Sequence, residues 1–167
     1  MNDKPVIAAV GAGRMGVGLA HVFAYAGHEV RLLDVKERDA DGFASLQARA
    51  RSDIARTIGL MATLGRIDAT DTDAILDRVT IYPLDRAAEA LSDVPLIFEG
   101  VPEVLEAKER AFAITCKHAS TDAIIASTTS TMMVDELAAF VAGRERFLNA
   151  HWLNPAFLIP LVELSVG

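Results

Sequence analysis

Apolar residues are distributed along this chain in two rhythms. Short unbroken apolar runs, such as "PVIAAV" (5–10) and "VPLIFEG" (94–100), run into glycine, as expected of strands buried on both faces of a parallel sheet. Elsewhere apolar positions recur every three or four residues. Phe43, Leu46, Ala50, Ile54, Ile58 and Met61 share one face of a helix predicted over residues 41–64. The same reading gives a helix over 15–26 closed by Gly27, a strand "HEVRLLD" (28–34), and a second helix "DATDTDAIL" (68–76) returning past Gly65. It continues with strand "RVTIY" (78–82), short helix "DRAAEAL" (85–91) and a helix over 102–118. Strand "DAIIAS" (122–127), a helix over 134–141 and strand "RFLNAHW" (146–152) follow. Strands alternating with helices imply right-handed crossovers. The fold class is therefore α/β, a doubly wound, mostly parallel sheet with a helical hairpin inserted after the second strand. No repeat, low-complexity segment or linker interrupts the 167 residues, so one domain is expected over 1–167.

Composition narrows the partners. With 51% hydrophobic and 23% charged residues the chain reads as globular rather than disordered. The formal charge is −7 and no basic block occurs, whereas a phosphate-backbone binder needs a concentrated positive face; no nucleic-acid partner is expected. No apolar run approaches the ~20 residues of a membrane span. The start, "MNDKPVIAAVG", carries an acid and lacks the apolar core of an export signal. Neither a membrane partner nor export is expected. The single cysteine, Cys116, excludes an internal disulfide and fits a reducing cytoplasm, the location expected.

The segment "VIAAVGAGRMGVGLA" sets Gly11, Gly13 and Gly16 as G-x-G-x-x-G between an apolar strand and a helix that opens within the loop. Gly11 permits the tight turn, Gly13 lets backbone approach a pyrophosphate, and Gly16 lets helix and strand pack closely. The helix amino terminus, with Arg14 and Met15, offers unpaired N–H groups to the phosphates. Asp34 closes the second strand. A carboxylate there can accept both ribose hydroxyls and would repel a 2′-phosphate, which favours NAD over NADP. FAD shares the fingerprint, and a glycine-rich packing turn beside a surface aspartate is the ligand-free alternative. The expected fold is Rossmann-like, with NAD as cofactor and no metal.

Ligands of open α/β sheets lie outside the carboxyl ends of the strands. Those ends carry the glycine loop, Asp34, Glu99 with Glu103, the run Ser127, Thr128, Thr129 and Ser130, and then His151 with Asn154. Oxidising a secondary alcohol by hydride transfer needs a base, and histidine suits it; a carboxylate on its far nitrogen would fix the tautomer. Glu163 lies 12 residues beyond His151, up to ~40 Å if extended, so the two meet only if the chain reverses. Asn154-Pro155 and Pro160 are breakers that would let "LVELS" return as a strand. The alternative is a core histidine bonded to backbone and a glutamate facing solvent on an edge strand.

Taken together, "GAGRMG", "FEGVPEVLEAKERAF", "ASTTST", "HWLNP" and "PLVEL" resemble the amino-terminal domain of the L-3-hydroxyacyl-CoA dehydrogenase family, in order and approximate spacing, over essentially the whole chain. The resemblance implies that His151 is the catalytic base and Glu163 its carboxylate partner. It implies that the Ser130 hydroxyl bonds the substrate's reacting oxygen, and that Asn154 stands for the asparagine beside the histidine. Glu103 and Lys108 match the pair near the nicotinamide ribose; a helix-start acid followed by a surface lysine is the alternative. Thr128 replaces the family's usual asparagine in the serine-rich run, and Trp152-Leu153 replace two aromatics. "VPE" and "IPLVEL" also resemble the relatives acting on small hydroxy acids, L-gulonate 3-dehydrogenase with lambda-crystallin and carnitine dehydrogenase.

The implied function is NAD-dependent oxidation of the 3-hydroxyl of an L-3-hydroxyacyl-CoA to the 3-oxoacyl-CoA, as in fatty acid metabolism. A non-CoA hydroxy acid substrate is the alternative, and a non-catalytic NAD-binding or structural protein is the reading from another class. In the family an all-helical domain follows, which shapes the substrate pocket and the homodimer contact. It is absent from this sequence, so the chain is expected to be the cofactor-binding half, poorly active alone. Arg49, Arg51 and Arg56 on the long helix either meet CoA phosphates or form a solvated face.

Overall fold

A computed structural model of the chain describes residues 4–159 and 161–167. Residues 1–3, where the reading for an export signal began, and Pro160, one of the two expected chain breakers, lie outside the described residues. Strands β1 (Ile7–Val10), β2 (Val30–Leu33), β3 (Val79–Tyr82), β4 (Leu96–Glu99), β5 (Ile124–Ser127), β6 (Phe147–Trp152) and β7 (Val162–Ser165) form one sheet. Their order is β3-β2-β1-β4-β5-β6-β7. The first six pair in parallel and β7 runs antiparallel to β6. The chain thus reverses its direction of growth across the sheet between β1 and β4, the switch at which open α/β sheets hold ligands.

The helices are α1 (Arg14–Tyr25), α2 (Ala40–Thr63), α3 (Thr72–Leu76), α4 (Ala87–Leu91), α5 (Leu105–His118) and α6 (Val134–Ala138). Alternation along β1 divides the core between the two faces of the sheet. Ile7 and Ala9 pack with Leu19 and Ala20 of α1 and Ile54 and Ile58 of α2. Ala8 and Val10 pack with Ala90 and Leu91 of α4 and Ala111 of α5. All four β1 residues are buried, which is why the run reads as continuous rather than alternating. Helix α2 starts where the Asp39 carboxylate accepts the Gly42 N–H at 2.8 Å. It buries Leu46, Ala50, Ile54, Ile58 and Met61, five of the six positions read from periodicity, and ends before left-handed Gly65.

Four helices differ from expectation. The helix expected over 85–91 opens as a 3-10 turn, Leu84–Arg86, and becomes α4 only at Ala87. The helix expected over 102–118 begins at Leu105, because Val104 is extended (φ −131°, ψ 126°) and leaves Glu103 in the lead-in. The helix expected over 68–76 divides into a 3-10 turn, Ala69–Asp71, capped by Asp68, followed by α3. The helix expected over 134–141 ends at Ala138, after which Phe140 and Val141 close tighter turns on Leu137 and Ala138, ahead of left-handed Gly143.

Candidate active site

The glycine loop leaves β1 through Gly11 at φ +104°, a backbone state L side chains rarely adopt. A Cβ on Gly16 would stand 1.9 Å from the Gly11 carbonyl oxygen, so α1 sits against the strand only because no side chain intervenes. In front of Gly13, by contrast, a Cβ would meet nothing within 4 Å. The protein itself makes no steric demand there; the open space suits an approaching pyrophosphate. Gly13 caps α1 without a side-chain partner and no acid lies in the first turn, so the helix N–H groups beside Arg14 and Met15 remain available to an anion. A cleft of about 610 Å³ runs from this loop to Asp34 at the end of β2, walled by Val101 and Leu46. These features fit a dinucleotide.

Asp34 stands where a ribose would be read, but its carboxylate is not free. Its Oδ2 accepts from Arg38 Nε at 2.5 Å, and its Oδ1 from the Lys36 backbone N–H at 3.3 Å. The chain turns after β2 so that the arginine four residues on folds back over the acid.

At the ends of β4 and β5 Glu103 and Lys108, the pair singled out by the resemblance, belong to a largely buried polar cluster with Glu99. Lys108 is 1% exposed, so the surface-lysine alternative fails. Its ammonium lies 2.9 Å from Glu99 Oε2 and 3.4 Å from Glu103 Oε2. Glu99 also accepts from the Ser127 hydroxyl at 2.6 Å and the Val101 N–H at 2.8 Å. Glu103 accepts from the Ser130 N–H at 2.6 Å and the Thr129 hydroxyl at 2.9 Å. Partial burial pushes the Glu103 carboxyl up, but the Ser130 N–H, Lys108 and the Thr129 hydroxyl outweigh it and hold the group below the usual carboxylate range. The loop after β5 is thereby tied to the loop after β4, leaving Ser130 exposed with no partner for its hydroxyl among the described residues.

The chain does reverse after His151. His151 and Glu163 are directly paired across β6 and β7, and His151 Nδ1 lies 2.8 Å from Glu163 Oε2. A carboxylate can only accept, so Nδ1 carries the hydrogen toward Glu163, and Nε2 has no partner among the described residues. The backbone-bonded core histidine is excluded by this contact. Behind the pair, Trp152 packs edge-on against Phe23 and Phe98, with ring centroids 5.7 and 6.1 Å away. Asn154 lies beyond, in a second cavity of about 580 Å³ that passes Gly13 and Arg14 and runs between α1 and α2 to Arg49. Among the described residues no hydrogen bond joins Ser130 or Asn154 to His151.

The family model described as "3-hydroxyacyl-CoA dehydrogenase, NAD binding domain" matches residues 6–167. The chain belongs to this family. A 3-hydroxybutyryl-CoA dehydrogenase of Bradyrhizobium diazoefficiens is 35% identical over 161 residues, covering 96% of this chain and 52% of the relative. A 3-hydroxyadipyl-CoA dehydrogenase of Escherichia coli is 31% identical over 167 residues, all of this chain and 33% of that one. The crystal structure of Mycobacterium tuberculosis FadB2 superposes with a TM-score of 0.83 at 31% identity, over 95% of this chain and 52% of its own. The chain spans about half, or a third, of the length of such relatives.

Within this 3-hydroxyacyl-CoA dehydrogenase domain, sequence reasoning missed two participants and gave a third no role. Glu99 was noted at a strand end, yet it is the most heavily bonded acid of the site. A carboxylate closing an apolar strand nine residues before a lysine was its available signal. Arg38 gave none, since its contact depends on a turn. His21, 2% exposed on α1, lines the second cavity, and burial pushes its imidazole down to about 4. Of the arm's arginines, Arg51 pairs with Asp77 and Arg56 with Asp53, whereas Arg49 has no ion pair among the described residues. No helix of the described residues is long and apolar enough to cross a membrane.

Proposed function

We propose that this chain is the cofactor-binding part of an enzyme that oxidises the 3-hydroxyl of an L-3-hydroxyacyl-CoA to the 3-oxo product. The observation that carries the reading is the 2.8 Å contact between His151 Nδ1 and Glu163 Oε2, in a domain whose glycine loop opens on a cleft that fits a dinucleotide. NAD, when bound, supplies the hydride acceptor. His151 Nε2 then takes the hydroxyl proton, and Glu163 holds the ring in the competent tautomer and stabilises the imidazolium. Ser130 offers a free hydroxyl to the reacting oxygen, while Glu103 and Lys108 hold the loop that presents it. Lys108 is assigned to holding Glu99 and Glu103 rather than to a ribose, since its ammonium is fully enclosed. Asn154 lines the cavity on the substrate side. In the full-length protein, a cytoplasmic homodimer on this reading, an all-helical domain closes the pocket.

The test is His151→Gln in the full-length enzyme. Turnover should fall by about 10²–10⁴-fold, with NADH affinity, read by fluorescence titration, nearly unchanged. Comparable turnover in the variant overturns the assignment. A panel of acyl-CoA and free hydroxy acid substrates decides between a thioester and a gulonate- or carnitine-type acid.

A further inference from the structure

We infer that a surplus carboxylate at the ends of β4 and β5 sets which redox form of the nucleotide the domain prefers, Glu103 favouring the cationic, oxidised nicotinamide over the neutral, reduced one. The inference rests on the nucleotide-binding reading and extends it. Three ionisable groups share the cluster. Lys108 and Glu99 are each 1% exposed and lie 2.9 Å apart. Whichever of them holds the proton between them, the pair carries no net charge. Glu103, 3.4 Å from the same ammonium, is left as an unbalanced negative charge. Partial burial works against that charge, but the Ser130 N–H, Lys108 and the Thr129 hydroxyl hold Glu103 below the usual carboxylate range, so it is ionised at neutral pH. No other cation pairs with it among the described residues.

The charge stands close to the place of a nicotinamide. With the adenosine over Asp34 at the end of β2, the other half of a dinucleotide crosses the switch between β1 and β4 and reaches the ends of β4 and β5. Glu103 Oε1 accepts the Ser130 N–H at 2.6 Å. On the proposed function the Ser130 hydroxyl meets the reacting oxygen, and hydride transfer needs the carbon within about 3–3.5 Å of the ring. That run of contacts keeps the carboxylate within roughly 13 Å of the ring. At that distance, with an effective dielectric constant near about 20, one unit charge alters the affinity for another by about tenfold. Glu163 has the same sign, but its side chain is 65% exposed and water screens it.

The oxidised ring carries a positive charge that the reduced ring has lost. Glu103 thus weights binding toward the form that begins the reaction and eases departure of the form that ends it. A tenfold weighting lowers the potential of the bound two-electron couple by about 30 mV.

Calorimetric titration of this chain with NAD+ and with NADH tests it. In Glu103→Gln the ratio of the NADH to the NAD+ dissociation constant should fall about tenfold from the wild-type ratio. Glu103→Asp, which keeps the charge, should keep that ratio. A merely loosened Ser130 loop would move both constants together and leave the ratio alone. Nucleotide binding by the variant shows that it is folded. A ratio within twofold of wild type in Glu103→Gln overturns the inference alone, and so does an equal fall in Glu103→Asp. Should Glu103→Gln bind neither nucleotide, Glu99→Gln takes the same unit charge from the cluster while sparing the contacts of Glu103 to the Ser130 loop, and an unchanged ratio there overturns the inference. Failure of both nucleotides to bind wild type overturns the nucleotide-binding reading and this inference with it.

Discussion

Lys108→Met would leave Glu99 enclosed with its Ser127 and Val101 donors but no cation. Such an uncompensated buried charge is expected to cost about 3–5 kcal/mol, read as a lowered denaturant midpoint. The double variant Glu99→Gln/Lys108→Met should recover part of that loss, since it removes both charges. His21 gives a pH signature. Burial lowers its imidazole from 6.5 to about 4, so the folded state favours the neutral ring. Its contribution is complete above pH 6.5 and is lost as pH falls toward 4, by about 3 kcal/mol. Urea midpoints of wild type against His21→Leu over that interval should show a flatter profile in the variant. At this scale legibility followed the motifs. The pairing of His151 with Glu163 was read from the order of the family motifs, the apolar segment alone leaving a core histidine and a solvent-facing glutamate as the alternative. The same resemblance singled out Lys108 with Glu103, whereas nothing in the sequence marked Arg38, whose contact depends on a turn.

Among the elements, the glycine loop separates stability from binding. Gly13 sits at φ −90°, ψ −167°, a conformation alanine accepts, with open space ahead of it. Gly13→Ala should therefore unfold within about 0.5 kcal/mol of wild type yet lose NADH affinity at least tenfold by titration. Gly16→Ala should lose both, since its methyl would collide with backbone. Equal binding by Gly13→Ala would deny the loop its phosphate. The periodicity of α2 and the continuous runs of the inner strands were plain in the sequence because packing there simply follows side-chain spacing. The start of α5 was not. Pro102 and Glu103 suit a first turn by propensity, but Glu103 is drawn to the Thr129–Ser130 loop, and tertiary hydrogen bonds override the local preference.

Across the whole molecule, the strand order brings the loops after β1, β4 and β5 to the same end of the sheet, as strand–helix alternation implies; the alternation could not say which loops would bind one another there. On the function proposed above, this chain is expected to bind NADH while oxidising an L-3-hydroxyacyl-CoA far more slowly than a protein that also carries the helical domain, compared by NADH formation at 340 nm. Activity equal to the full-length enzyme would contradict the division of labour proposed above. The pairing of β6 with β7 carries one more consequence. His151 and Glu163 meet as cross-strand neighbours, so their alignment is inherited from the backbone ladder and owes nothing to the length of the stretch between them. Residues could be inserted around 156–159 without parting the couple, provided the ladder re-forms. A slip of a single rung would instead set Leu164 or Val162 opposite the imidazole and turn the glutamate to the other side. Variation in that connection is therefore where evolution, or an engineer, can reshape the pocket mouth without touching the proton path.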